Sequence, residues 1–496
     1  MNMAFRHVPI LRSFTKNPAV HAAAGRDPKM LGGPFVCLEE TDVDDVQTLL
    51  GDMTSRFSGL LQFAEDFKAL NGRLQAAAKS ASLDDYHREL PPSLRGLVEM
   101  GYDLNNHPEL RIYEELMYAG GLDNSAGDEV CLHSVLDTDR KFFMSTPVLE
   151  GPGKLFVKAR FDDPVVDELA SLRTIPQPLA QIKALLGRYA CDTSTLETFL
   201  TDQPPERRAI GYSGSGIRVR YFGHACVLLQ TSELSILVDP LTAWEKDEDQ
   251  ASLTFDELPD FIDFVIISHA HTDHLVTEML LQLRRRVGRV VVPRNNSGSL
   301  ADPSMKLILR RLGYSNVTVV DPLDRIEAPG GEILILPFAG EHCGLAINSK
   351  LCAVIKLAGR SLAFLVDSDG MDPHIYTRIR EQYGRVDALF IGMECHGAPL
   401  TWIYGPLLGK PIGRREDESR RLNGADCERA WRLVQEFGPR NVFVYAMGQE
   451  YWLRSIMGLE YTPDSMQIVE SNKLIARCQD AGIAARRPKG CSEFVL

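Results

Sequence analysis

The chain has 496 residues, 44% of them apolar and 24% charged, with 54 Lys and Arg against 67 Asp and Glu for a net charge of −13. That much apolar material supports a sizeable core and excludes wholesale disorder, and no run approaches the roughly 18 apolar residues of a membrane span. A net negative surface repels phosphate backbones, so neither a membrane nor a nucleic acid is an expected partner.

Residues 1–30 carry Arg6, Arg12, Lys16 and Arg26 and no acid before position 27, without a clear amphipathic stripe, and read as a flexible arm. From Asp42 to about Lys79, Val46, Leu49, Leu50, Met53, Phe57, Leu60, Leu61, Phe63, Phe67 and Leu70 recur at threes and fours, the period of an amphipathic helix or helical hairpin. Helical patterns are also expected over 94–104 and 108–118, a short strand in 154–161, and helices at 164–173 and 178–186, each with a proline at or near its first turn. These place a mainly helical domain at 31–205, shaping an interface, a lid or a homodimer contact.

The segment 201–216, with two prolines and a Gly/Ser cluster, reads as a linker into a second domain at 215–496. Short β-branched runs follow at 217–230, 234–240, 264–271, 289–294, 317–321, 332–340, 352–357, 361–369, 387–393 and 441–447. Helical runs interleave at 273–286, 301–312 and 426–437, a pattern of sheets with helices on their outer faces. The basic clusters Arg284–Arg286, Arg310–Arg311 and Arg486, Arg487, Lys489 read as solvated faces and a tail. Ten cysteines are scattered with no CxxC pair, so neither a zinc knuckle nor a disulfide framework is indicated, and a reducing, cytoplasmic setting is expected.

The chemistry concentrates in FVIISHAHTDHL (264–275), where a strand ends in Ser268 and is followed by His269, His271, Asp273 and His274. A lone histidine is usually a packed core residue. Three imidazoles and a carboxylate within six residues at a strand-to-helix turn are a metal-ligand pattern, with His269 and His271 directed to one side and Asp273 and His274 able to address a second ion. Downstream, PFAGEHCG (337–344) places Glu341 beside His342, either of which can be a ligand, and FLVDSDG ends a strand at Asp367. An oxygen-rich set of Glu341, Asp367 and Asp273 with two to four histidines favours iron over zinc.

The HxHxDH turn resembles the metallo-β-lactamase superfamily, and so do YFGHACVLL with LVDP upstream and the 337–344 and 361–369 segments downstream. The resemblance implies an αββα metallo-β-lactamase sandwich over about 215–460, an orienting role for Asp239, and Asp367 as a bridging carboxylate. Hydrolases of the superfamily supply a late histidine, but none follows His396; Gln449 and Glu450 stand near that slot. The oxygen-rich ligands, the helical first domain, YDLNNHPELR (102–111) and MECHGAPLTWIYGPLL (393–408) are similar to a narrower group, the diiron oxygenases of natural-product biosynthesis with this fold. That resemblance implies His269, His271 and Glu341 on one iron and Asp273 and His274 on the other. Asp367 then bridges, Glu341 and Asp367 are catalytic carboxylates, and the last ligand is left among His396, Gln449 and Glu450.

The expected activity is that of a diiron monooxygenase using two Fe ions, O2 and an external electron donor. It would hydroxylate an amino-acid-like substrate, either a small molecule or a residue tethered to a carrier protein. Docking of an acidic carrier on so acidic a chain requires one of the arginine clusters. The competing class is a hydrolase with two Zn ions acting on an ester, amide, lactone or phosphoester; a non-catalytic scaffold would not keep the whole HxHxDH set. Among single residues, His224 leans to a structural or substrate-channel role, Asp369 reads as a turn residue, and Cys226 and Cys343 as inert thiols.

Overall fold

A computed structural model of the chain describes residues 3–26, 38–122, 127–134, 148–189, 191, 193–205, 207, 210–244, 252–340, 347–396, 400, 405, 412–413, 415–416, 424–453 and 461–496. The N-terminal segment corrects the expectation of a flexible arm. After a π-helical turn at Met3–His7 come α1 (Val8–Lys16) and α2 (Pro18–Arg26), and Val8, Leu11 and Phe14 are buried in one cluster with Val46 and Met53 of α3 (Val43–Arg56). Three apolar positions at a spacing of three make a stripe on a nine-residue helix, too short to stand out among basic neighbours.

The expected helical hairpin is α3 followed by α4 (Ser58–Ala76), broken at Phe57, with Phe63, Phe67, Leu70 and Leu74 buried along one face of α4. A short α5 (Asp84–Arg88) leads into a second correction. The regions 94–104 and 108–118, expected as helices, hold the antiparallel strands β1 (Val98–Tyr102) and β2 (Pro108–Ile112), with α6 (Glu114–Ala119) after them. Their turn is built by Asp103, whose carboxylate accepts the N–H groups of Asn105 (2.7 Å) and His107 (2.8 Å) while Asn106 takes a left-handed φ of 62°. This Asx-type turn chemistry outweighs a helical pattern in which only Leu94, Met100, Pro108 and Ile112 are buried. The domain ends with the hairpin β3 (Val130–His133) and β4 (Lys154–Val157), then α7 (Pro164–Ser171), capped by Asp163 with a proline at its first turn, and α8 (Leu179–Gly187).

The second domain is two facing sheets. The first holds β5 (Arg218–Gly223), β6 (Cys226–Gln230), β7 (Ser235–Val238), β8 (Ile262–Ile266), β9 (Val287–Pro293) and β10 (Val317–Val320), with β7 to β10 parallel. The second holds β11 (Arg325–Ala328), β12 (Gly331–Pro337), β13 (Leu351–Leu357), β14 (Arg360–Phe364), β15 (Ala388–Gly392), β16 (Asn441–Tyr445) and β17 (Ala484–Arg486), with β14 to β17 parallel. The last strand, β18 (Ser492–Val495), returns to pair antiparallel with β5. Strands such as β5, β6 and β15 are buried along their whole length, as sheets covered on both faces require.

Residues of the two sheets meet in one inner core, where Phe364, Phe390, Phe443 and Phe494 stack in series at 4.6, 4.7 and 4.6 Å. Outside the first sheet lie α9 (Thr277–Leu283) and α10 (Met305–Arg311); outside the second lie α11 (Pro373–Tyr383), α12 (Cys427–Phe437) and α13 (Met466–Asp480). This is the expected αββα sandwich preceded by a mainly helical domain. Among the described residues no helix is long and apolar enough to cross a membrane.

Of the arginine clusters, Arg284, Arg286 and Arg311 are drawn into the structure, against expectation, whereas Arg285, Arg310, Arg486 and Lys489 are exposed as expected. Arg284 donates to Asp167 (2.8 Å) on α7 and to the carbonyl of Asp163, Arg285 pairs with Glu168 (2.8 Å), and Arg311 pairs with Asp128 (2.6 Å). They fasten the helical domain to the outer helices of the sandwich. Arg486 lies over the rings of Phe443 and Phe494, and Arg487 donates to Ser471 and Asn472.

Candidate metal centre

The parallel strands of both sheets deliver their C-terminal ends to one edge of the sandwich, the usual place for a site in such sheets. Turns after β5, β7, β14 and β16 each contain a non-glycine residue in the left-handed region: His224 (φ 48°), Asp239 (φ 41°), Val366 (φ 47°) and Ala446 (φ 50°). Such backbone costs about 1–3 kcal/mol per residue and persists where surrounding structure holds it. Here the holding bonds tie the strand ends together. Asp239 N–H donates to the Ile266 carbonyl (2.9 Å), Gly392 N–H to that of Val366 (2.7 Å), and Ala446 N–H to that of His224 (2.8 Å).

The turn after β8 brings His269, His271, Asp273 and His274 to this edge, and Asp367 arrives from the turn after β14. Two groups form with their candidate ligand atoms within 4.8 Å of one another: His269, His271 and Asp367, and His224, Asp273 and His274. His269 Nε2 and His271 Nδ1 converge at 3.1 Å. Asp367 Oδ2 lies 3.6 Å from His269 Nε2 and 3.3 Å from His274 Nε2, so one carboxylate oxygen faces both groups. Asp239 orients the imidazoles from behind. It accepts from Ser268 N–H and Ser268 Oγ–H, both at 2.7 Å, and lies 2.9 Å from His274 Nδ1, while Ser268 Oγ lies 2.9 Å from His269 Nδ1. Each contact occupies Nδ1 and leaves Nε2 facing the centre.

The electrostatics are those of a cation site. Burial alone would raise the Asp273 carboxyl, but the charge of His274 and the hydrogen bond and charge of His224 hold it far below the ordinary carboxylate range. Burial alone would lower His274, but Asp273, Asp367 and Asp239 push it well above the ordinary imidazole value. Glu394, at the end of β15 and 2% exposed, is pushed well above the carboxylate range by burial and then by Asp273 and Asp367. His274 Nε2 and Glu394 Oε1 are buried without a hydrogen-bond partner. Orphaned nitrogen and oxygen donors beside crowded carboxylates fit metal ions bound by imidazole and carboxylate, a donor set that suits iron.

The remaining candidates fall in different places. Glu341 and His342, with Cys343, lie outside the described residues. His396 belongs to neither donor group; its Nδ1 is buried without a partner and its carbonyl accepts from Gln467 Nε2 (2.9 Å). Glu450 also stands apart from both groups, because its Oε1 accepts from the His224 N–H (2.8 Å) and from the Tyr221 hydroxyl. Asp369 is a turn residue, accepting the Met371 N–H (2.8 Å). Cys226 is buried and pushed up to about 12 by that burial, hence inert.

Two residues near the centre were not among the ligand candidates of the sequence. His224, read as structural or as part of a substrate channel, reaches the centre with Nε2 3.0 Å from Asp273 Oδ2. Glu394 gave one usable sign, an acid directly after a fully apolar strand in a sheet whose strand ends carry the ligands.

Comparison with known proteins bears on the family and the fold. The family model for the diiron non-heme β-hydroxylase N-terminal domain matches residues 1–204, and that for the β-lactamase superfamily domain matches residues 218–394. The chain is similar to the 4-amino-L-phenylalanyl-(CmlP-peptidyl-carrier-protein) 3-hydroxylase of Streptomyces venezuelae, at 36% identity over 484 residues, which is 96% of this chain and 91% of that protein. The crystal structure of CmlA, a diiron β-hydroxylase from Streptomyces venezuelae, superposes with a TM-score of 0.88 at 34% identity, covering 100% of this chain and 94% of that one. A UPF0173 protein of Pyrococcus abyssi is 34% identical over 242 residues, 46% of this chain and 99% of its own length.

Proposed function

Because this chain belongs to the diiron non-heme β-hydroxylases, an oxidoreductase family with two irons as its cofactor, we propose that it hydroxylates the β-carbon of an amino acid held as a thioester on a carrier protein, using O2 and an external electron donor. The observation that carries the reading is Asp367 Oδ2 placed between two donor groups, close to the imidazoles of both His269 and His274. In this reading His269, His271 and Glu341 hold one iron, Asp273, His274 and Glu394 hold the other, and Asp367 bridges. Two irons supply the redox chemistry that couples O2 to hydroxylation of a C–H bond. The protein's own part is to present nitrogens of fixed tautomer, through Ser268 and Asp239, and to keep bulk water from a buried centre.

The carrier is proposed on similarity alone, since the printed name of the Streptomyces venezuelae relative states a carrier-bound substrate. Of the arginine clusters that would greet an acidic carrier, Arg284, Arg286 and Arg311 are engaged within the chain, and Arg285, Arg310, Arg486 and Lys489 remain exposed.

The test is metal analysis of protein from cells supplied with iron and zinc, with optical spectra before and after dithionite and air, followed by turnover of carrier-loaded aminoacyl thioesters under 18O2. Two irons per chain, a near-ultraviolet band that bleaches on reduction and returns in air, and one 18O atom in the product are expected. Two zincs with a featureless spectrum would overturn the reading in favour of a hydrolase, and full metal content and turnover in Glu341→Ala would overturn the place of Glu341 in the ligand set.

A further inference from the structure

His224 is a buried imidazole that the ligand set above leaves unused. It occupies the turn between β5 and β6, is 0% exposed, and holds a left-handed backbone that non-glycine residues seldom adopt. Three ties hold it there. Its N–H donates to Glu450 Oε1 (2.8 Å), its carbonyl accepts from Ala446 N–H (2.8 Å), and its ring Nε2 lies 3.0 Å from Asp273 Oδ2. Glu450 is in turn held by the hydroxyl of Tyr221 on β5. Neighbouring packing allows little else. Gly223 precedes His224 at φ 119°, where a Cβ would stand 2.7 Å from the Trp452 ring and 3.3 Å from Glu450 Cγ.

The direction of the ring bond follows from its acceptor. An ionised carboxylate only accepts, so Nε2 carries the proton and donates to Asp273, and a nitrogen used in that way has no lone pair for a metal. Nδ1 is buried with no hydrogen-bond partner. The rings of His224 and His274 stand 5.0 Å apart and reach the same oxygen of Asp273, His224 at 3.0 Å and His274 Nε2 at 3.5 Å.

We propose that His224 is a positioning residue. Resting on the reading of Asp273 as an iron ligand, it fixes the carboxylate of Asp273 toward its ion, and Tyr221 and Glu450 lock His224 in that pose. The chain Tyr221–Glu450–His224–Asp273 does for the carboxylate ligand what Ser268 and Asp239 do for the imidazoles. It also accounts for Glu450, which supports the centre from behind. Loss of such a supporting partner typically weakens metal binding by about 10–100-fold.

The experiment uses the full chain loaded with 57Fe, as wild type, His224→Ala and His224→Gln, read by iron stoichiometry and Mössbauer spectroscopy, with thermal unfolding of the metal-free proteins reporting the fold. Wild type holding two irons, His224→Ala depleted at one of two iron environments by about 10–100-fold in affinity, and His224→Gln recovering most of the loss through its amide N–H would support the assignment. Two irons and wild-type Mössbauer parameters in His224→Ala would overturn it. So would a His224→Gln variant as depleted as His224→Ala, which would make the imidazole itself a ligand. If His224→Ala does not fold, His224→Gln decides alone: two irons with altered parameters at one environment support positioning, and loss of one iron overturns it. A wild type that binds no iron would overturn the reading of the centre and this role with it, whereas unaffected variants of a two-iron wild type overturn the role of His224 alone.

Discussion

Gly392 closes β15 directly against the proposed bridging carboxylate, and adding one methyl group there tests the whole placement of Asp367. A Cβ on Gly392 would stand 2.7 Å from Asp367 Oδ1 and 2.8 Å from the Val366 carbonyl oxygen, where ordinary contact begins at 3.4 Å. The carbonyl is held by the Gly392 N–H at 2.7 Å and belongs to a residue already in the left-handed region, so it cannot swing away. Relieving the carbonyl contact requires the end of β15 to shift, and Asp367 must also yield, by about 0.7 Å if it takes the whole of its own displacement. Overpacking of this kind costs about 1–3 kcal/mol. At about 2–4 °C per kcal/mol for a domain of this size, the Tm of Gly392→Ala should fall by about 2–12 °C. A misplacement approaching 1 Å at a reacting centre costs up to about 100-fold in rate. Iron analysis, thermal unfolding and turnover on one preparation measure all three effects. Gly72→Ala is the control: it lies on the exposed side of α4 with nothing within 4 Å of its Cβ, and should gain about 0.5–1 kcal/mol from helix propensity alone. If Gly392→Ala kept wild-type Tm, iron content and turnover, the proposed placement of Asp367 would be wrong.

Three further outcomes are expected. Asp239→Ala removes the acceptor for Ser268 and the partner of His274 Nδ1, so iron affinity should drop by about 10–100-fold with the fold intact, and unaltered affinity in a metal titration would count against the orienting role. The Glu394 carboxyl is raised in the folded chain by burial and by Asp273 and Asp367, so its contribution is most favourable below the unfolded carboxylate value of about 4.3 and is lost as pH rises toward the folded value. Metal-free Glu394→Gln should thus unfold at higher temperature than metal-free wild type at neutral pH, by a margin that shrinks toward pH 4; a margin that stays flat or reverses would refute that sign. Arg284→Ala breaks a pair in which both side chains are mostly buried, and frees several carbonyls between α7 and α9, so urea denaturation should show a loss of about 3–5 kcal/mol, against the fraction of a kcal/mol typical of an exposed pair.

The HxHxDH turn and the long alternation of apolar runs are local signals, from which sheets with outer helices and a metal site at His269, His271, Asp273 and His274 were readable, while the αββα sandwich and the roles of Asp239 and Asp367 came with the family resemblance. A strand that ends in acids and imidazoles declares itself because the apolar run and the polar cluster are contiguous. The hairpin of β1 and β2 was hidden because short strands and short helices share apolar spacings, and the turn formed by Asp103 broke the tie. The arginine clusters looked solvated because their partners Asp167, Glu168 and Asp128 lie far away in sequence. His224 and Glu394 were decided by tertiary structure alone. Each comes from a different strand end, and only the side-by-side pairing of β5 through β8 and of β14 with β15 carries His224 to Asp273 and Glu394 toward Asp367. Spacing along a chain records which side chains one turn can converge, whereas a centre built from several strand ends exists only once two sheets have closed over a common core.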